Sequence, residues 1–91
     1  MKDIILLNNY EKIDSRDLST NIVSKLKFGD KVILDFQGII EIDFTILENL
    51  IQKVLDGLGY DKIKTKFGFK NVTPKIRNSI SYIIDDYLKR G

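Results

Sequence analysis

At 91 residues the chain is long enough for one hydrophobic core and too short to divide it between two. Hydrophobic residues at 43% and charged residues at 31% belong to an ordinary globular sequence rather than a disordered one. With no cysteine and no histidine, disulfides, thiolate nucleophiles, the usual zinc ligand sets and every imidazole acid-base scheme are excluded.

The net charge of +2 conceals an asymmetry: residues 1–61 carry 7 basic and 11 acidic side chains, whereas residues 62–91 carry 8 and 2. A basic last third can face an acidic protein surface or a nucleic-acid backbone, or can simply solvate an edge strand and a helix face. No apolar run approaches the roughly 20 residues of a membrane span, and that of residues 4–7 is too short for a signal-peptide core. The expectation is a soluble cytoplasmic protein without a membrane partner.

Residues 3–7 read as a first strand, and four consecutive apolar residues predict that it is buried on both faces. Turn-forming Asn8 and Asn9 lead to a helix over Ser15–Lys27, with Asp14 as N-cap and Asp17 three places on. Leu18, Ile22, Val23 and Leu26 form its apolar stripe, and Gly29 its stop. Residues 31–36 are the central strand, rich in β-branched residues, with Asp35 at its end and Gly38 in the connection that follows. A second helix begins at Asp43 as N-cap and buries Leu47, Leu50, Ile51, Val54, Leu55 and Leu58, ending at Gly57-Leu58-Gly59. Phe44 and Ile46 lie off that stripe, so the opening turn carries more apolar surface than one packing contact uses.

Residues 62–70 alternate, with Ile63, Phe67 and Phe69 on one side and lysines on the other, and predict a third strand. Thr73 and Pro74 then start a last helix as N-cap and first helical residue. Its stripe is Ile76, Ile80, Ile83, Ile84, Tyr87 and Leu88, and Lys89 and Arg90 suit the negative end of its dipole. The order β, α, β, α, β, α predicts one small α/β domain, a mainly parallel or mixed sheet flanked by about three helices. Such sheets meet ligands and partners at the carboxyl ends of their strands, here around residues 38–45 and 71–73.

Leu34-Asp35-Phe36-Gln37-Gly38-Ile39, followed by Ile42-Asp43-Phe44-Thr45 and an amphipathic helix, resembles the signature of STAS-type domains. That fold is shared by anti-sigma-factor antagonists and sulfate-transporter tails, and the small bacterial STAS-like domains are nearer still. Phe69-Lys70-Asn71-Val72-Thr73, followed by Ile76, Ile80 and Ile83, is similar to the element that closes those domains. The resemblance spans residues 14–84 and implies that residues 1–91 form one STAS-like domain. It implies a non-catalytic switch or adaptor that docks a protein, often a kinase-like regulator, through the first turn of the second helix. The contact residues implied here are Glu41, Asp43, Phe44, Thr45 and Glu48, with Asn71 and Thr73 facing them. Signalling members carry a phosphorylated serine or threonine directly after the aspartate; Phe44 stands there in this chain, which leaves Thr45 as the nearest hydroxyl and the phosphorylation candidate.

Other functions are weighed on the residues themselves. Asp35, Glu41 and Asp43 are the carboxylates that acid-base chemistry or a divalent cation would use, but their spacing is not diagnostic and capping accounts for Asp43. Gly57-Leu58-Gly59 follows a helix instead of opening one, so it is no phosphate loop. The reading is therefore a non-enzyme with no metal and no cofactor. A nucleic-acid alternative rests on Lys62, Lys64, Lys66, Lys70, Lys75 and Arg77, although Phe67 and Phe69 share the parity of Ile63 and are expected in the core rather than stacked on bases. A stoichiometric inhibitor or accessory protein from a mobile element is the third reading.

Overall fold

The computed structural model of the chain describes residues 2–9 and 13–90. Strands β1 (Lys2–Leu6), β2 (Lys31–Asp35) and β3 (Phe67–Lys70) pair in parallel in the order β1-β2-β3. Helices α1 (Ser15–Lys27), α2 (Phe44–Leu58), α3 (Tyr60–Ile63) and α4 (Pro74–Arg90) make up the rest, with a 3-10 turn at Leu7–Asn9. The molecule is a small α/β domain with an all-parallel sheet, and no described helix is long and apolar enough to cross a membrane.

Capping residues set the helix starts as the sequence predicts. Asp14 accepts from the amides of Arg16 and Asp17 at 3.0 and 3.3 Å, and Asp43 from those of Thr45 and Ile46 at 2.9 and 3.2 Å. Thr73 Oγ1 accepts from the Ile76 amide at 3.2 Å, opening α4 at Pro74. Helix α2 sits between α1 and α4 and presents Leu47, Leu50, Ile51, Val54 and Leu55 to the core, each no more than 1% exposed. Asp3 of β1 is ion-paired with Lys25 of α1 at the other end of the strands.

A sheet ordered 1-2-3 with right-handed crossovers has its helices on one side only. Burial parity follows that rule: Val32, Leu34 and Phe36 are fully buried, and their register partners Ile5 and Phe69 point the same way. The expectation that β1 is buried on both faces is therefore corrected, since Ile4 is 45% exposed. A run of apolar residues marks a doubly covered strand only where helices occupy both faces, and this edge strand has them on one.

The predicted strand over residues 62–70 shrinks to Phe67–Lys70, because its first part is helix α3. Tyr60 and Ile63 stand one helical turn apart and both turn inward, while Lys62, Lys64 and Lys66 remain exposed in either conformation. Alternation of lysines over so short a run does not discriminate strand from helix. Two smaller corrections concern helix ends. Leu88, assigned to the α4 stripe, is 45% exposed in the last turn. Helix α2 continues through Gly57 and stops at Gly59, whose φ of 84° is left-handed. Gly57 serves packing instead: a β-carbon there would lie 3.0 and 3.1 Å from the two methyls of Val23 on α1.

Candidate functional site

The carboxyl ends of β2 and β3 carry two loops that a single carboxylate holds together. Asp35, only 5% exposed, accepts at Oδ1 from the Gln37 amide at 2.9 Å and from Asn71 Nδ2 at 2.9 Å. Lys70 Nζ lies 3.9 Å from Oδ2. The Asn71 side-chain bond, then the Gln37 amide and the Lys70 charge hold the Asp35 carboxyl below its ordinary value, against the opposing effect of burial. Asn71 reaches this carboxylate from a left-handed backbone, φ 57°, which asparagine tolerates better than most residues.

The connection after β2 turns tightly, with the Ile39 amide donating to the Phe36 carbonyl at 2.9 Å. Glycine suits position 38 because its φ is 83°, where any other side chain is strained, and a β-carbon there would also push the Asn8 side chain aside from 2.8 Å. A shallow open depression runs between residues 36–40 and residues 71–73. Beyond it the chain displays Ile40, 76% exposed, before Asp43 caps α2. Phe44 on the first turn is 41% exposed, and its ring meets Tyr82 of α4 at 6.0 Å between centroids, tilted by 59°. Tyr82 is itself 61% exposed. Glu41 and Lys75 pair at 3.4 Å between the connection and the start of α4.

These positions show where each predicted contact residue stands. Phe44 and Glu48 lie one turn apart on the same side of α2, Thr45 is exposed on its first turn, and Glu41 is exposed before it. Asp43 spends its carboxylate on the helix cap. Asn71 and Thr73 border the same edge, but their polar side-chain atoms are engaged internally, Asn71 with Asp35 and Thr73 with the α4 amide. Sequence reasoning missed Ile40 and Tyr82. Ile40 lies in a connection without periodicity to mark it, whereas Tyr82 falls outside the spacing of Ile76, Ile80 and Ile83 and was visible on that ground.

The three rim carboxylates have separate sets of partners: Asp35 meets Asn71, Gln37 and Lys70, Glu41 meets Lys75, and Asp43 meets the first amides of α2. Among the described residues no three acidic groups converge as a metal site. The basic residues are dispersed, Lys62 on α3, Lys64 and Lys66 in the turn after it, Lys70 closing β3, and Lys75 and Arg77 on α4. Lys64 lies 3.8 Å from Asp61. Phe67 and Phe69 pack edge-on to one another at 5.0 Å, and Phe69 lies 6.3 Å from Phe36 in the core. Their rings point to the helix side and not toward the exposed lysines.

The chain matches no family model, no curated protein and no solved structure.

Proposed function

We propose that this chain is a non-catalytic regulatory module of STAS-like type that binds another protein through the opening turn of α2 and the adjoining face of α4. The observation that carries this reading is the exposed Phe44–Tyr82 ring contact between α2 and α4, with Ile40 exposed in the connection that leads into α2 and Glu41 of that connection paired with Lys75 of α4. An apolar cluster left at the surface and rimmed by polar groups is characteristic of a protein contact. Aromatic residues are the commonest anchors of such contacts. The resemblance of residues 34–45 to STAS-type signatures supports the same turn as the docking element and a kinase-like regulator as its partner. The module works in the cytoplasm on this reading.

Thr45 stands exposed on that turn. A phosphate there would add roughly −1.5 to −2 charges beside the patch and alter docking.

The test is affinity capture from the native host with wild type and Phe44→Glu side by side, followed by direct titration of the purified partner. Wild type is expected to retain one protein that Phe44→Glu loses by at least tenfold in affinity. Because Phe44 is partly exposed, the substitution costs about 1 kcal/mol of stability and leaves the fold intact. Equal affinity of the two proteins for the partner would refute the patch as the docking surface. Loss of the fold in Phe44→Glu would show that Phe44 belongs to the core.

A further inference from the structure

The side of the sheet opposite the helices is uncovered among the described residues. Strand register places Ile4 and Leu6 of β1, Ile33 of β2 and Gly68 of β3 on that side, with Ile4 and Ile33 directly paired and Gly68 next to Ile33. Ile4 is exposed and the other three are half-buried. Lys2 and Lys31 pair across one end of the face, and Lys70 stands at the other beside Asp35. The centre is therefore apolar; one end is basic through Lys2 and Lys31, and at the other Lys70 lies 3.9 Å from the Asp35 carboxylate, which Asn71 and the Gln37 amide hold more closely.

Gly68 supplies an independent observation. Its φ is not left-handed, and a β-carbon built on it would meet only Ile33 Cγ1, at an ordinary 4.0 Å. Neither backbone conformation nor internal packing calls for glycine in this strand, where glycine is disfavoured. Close approach of another backbone is one of the uses of a strand glycine, beside bulges and tight bends, and the register of β3 against β2 runs without a bulge.

Size and hydrogen bonding decide the occupant. Three strands about 4.8 Å apart and about five residues long give a face on the order of 250 Å². A stable protein pair buries about 800 Å² on each side, so this face is too small to hold a second copy by itself and offers a single helix a weak contact that charge must supplement. A helix about 10 Å across fits the width. It also brings its own backbone hydrogen bonds, which matters because a sheet face offers none.

We propose that this face docks one amphipathic helix of a partner protein, its apolar stripe covering Ile4, Leu6 and Ile33, its backbone closest at Gly68, and acidic residues beside the stripe meeting Lys2, Lys31 and Lys70. The surface is distinct from the Ile40–Phe44–Tyr82 patch and does not depend on it.

The experiment is a titration of the isotope-labelled full chain with a synthetic amphipathic helix of about four turns. The probe carries a Leu/Ala stripe flanked by Glu, and its control has Lys in place of Glu. The Glu-flanked probe is expected to shift amides of β1, β2 and β3 and to bind at least tenfold more tightly than the control. Gly68→Val is expected to weaken that binding at least tenfold while its urea midpoint stays at or above wild type, because a β-carbon there has ordinary contact room and valine favours a strand. Ile4→Glu, at an exposed edge position, should weaken it likewise and serves if Gly68→Val does not fold. Equal binding of both probes, shifts confined to the α2–α4 patch, or no shift up to millimolar probe would overturn the proposal. So would concentration-dependent shifts without any probe, which would assign the face to a second copy.

Discussion

Whether Asp35 holds the two loops as one unit can be tested at Asn71, where two contributions are separable. The side-chain amide donates to Asp35, and the backbone sits at φ 57°. Asn71→Gly deletes the amide and keeps the backbone at no steric cost; Asn71→Ala deletes the amide and forces a β-carbon into the left-handed region. That conformation costs about 1–2 kcal/mol, offset by about 0.5–1 kcal/mol because alanine loses less backbone freedom on folding than glycine. The alanine variant is therefore expected below the glycine variant by about 1 kcal/mol, independent of pH. With an m-value of about 1 kcal/mol per molar urea for a small chain, their midpoints separate by on the order of 1 M. The pH profile reports the amide. A carboxyl whose folded pKa is lowered contributes stability that is fully present above its unfolded value, about 3.9, and is lost as pH falls through the folded value. Wild type should thus lose stability from about pH 5 downward through the lowered Asp35 value. Both variants should lose less over that window, and equally, since the Gln37 amide and Lys70 remain. Urea denaturation of the three proteins over that pH range is the assay. Parallel profiles for wild type and Asn71→Gly would refute the amide's hold on the carboxylate, and an alanine variant as stable as the glycine one would refute the left-handed loop.

Two further predictions concern helix packing. Gly57→Ala gains about 1 kcal/mol of helix propensity but drives a methyl onto Val23, whose stiff β-branched side chain resists, at about 1–3 kcal/mol. Gly57→Ala alone should therefore be neutral or destabilising by chemical denaturation, and in the Val23→Ala background it should stabilise by about 1 kcal/mol; stabilisation with Val23 present would show that the helices move apart. Tyr87 donates to Asp56, which together with burial raises the phenol above its ordinary value. The stabilisation is complete below about pH 10 and lost as pH rises through the folded value, so Asp56→Asn should lower the pKa of one of the four tyrosines in an ultraviolet titration, and an unchanged curve would rule the bond out.

The helices α1, α2 and α4 were legible because each advertises a capping residue and a stripe of period 3.6, and β2 because β-branched residues crowd it. What escaped the sequence has physical causes. Helix α3 is a single turn, too short to establish a period, and its lysines alternate as a strand's would. The nine-residue reading of β3 failed for the same reason. Gly57 read as a stop because a glycine near a helix end usually is one, whereas its neighbour Val23 is 34 residues away in sequence and no local pattern reveals the contact. One-sided coverage was hidden because an apolar run in β1 carries no mark of which face lacks helices. At the candidate site Asp43 was legible as a cap and Phe44 as an apolar residue off the buried stripe, and Thr45 entered only through the resemblance; the Asp35–Asn71 bond, the Phe44–Tyr82 contact and the exposure of Ile40 are tertiary facts.

Asp35 also bears on how the two proposed surfaces relate. By register it faces the uncovered side of the sheet, next to Lys70, yet it fixes the loops that border the α2 turn. Acidic residues docking on the open face would draw Lys70 away from it. Lys70 lies 3.9 Å from the carboxylate, beyond hydrogen-bond length, whereas Asn71 and the Gln37 amide hold it at 2.9 Å. With its lysine half-exposed to solvent, an ion pair of that length contributes on the order of 1 kcal/mol. The loops are therefore expected to keep their geometry were the open face occupied, so that binding at one proposed surface should leave binding at the other unchanged.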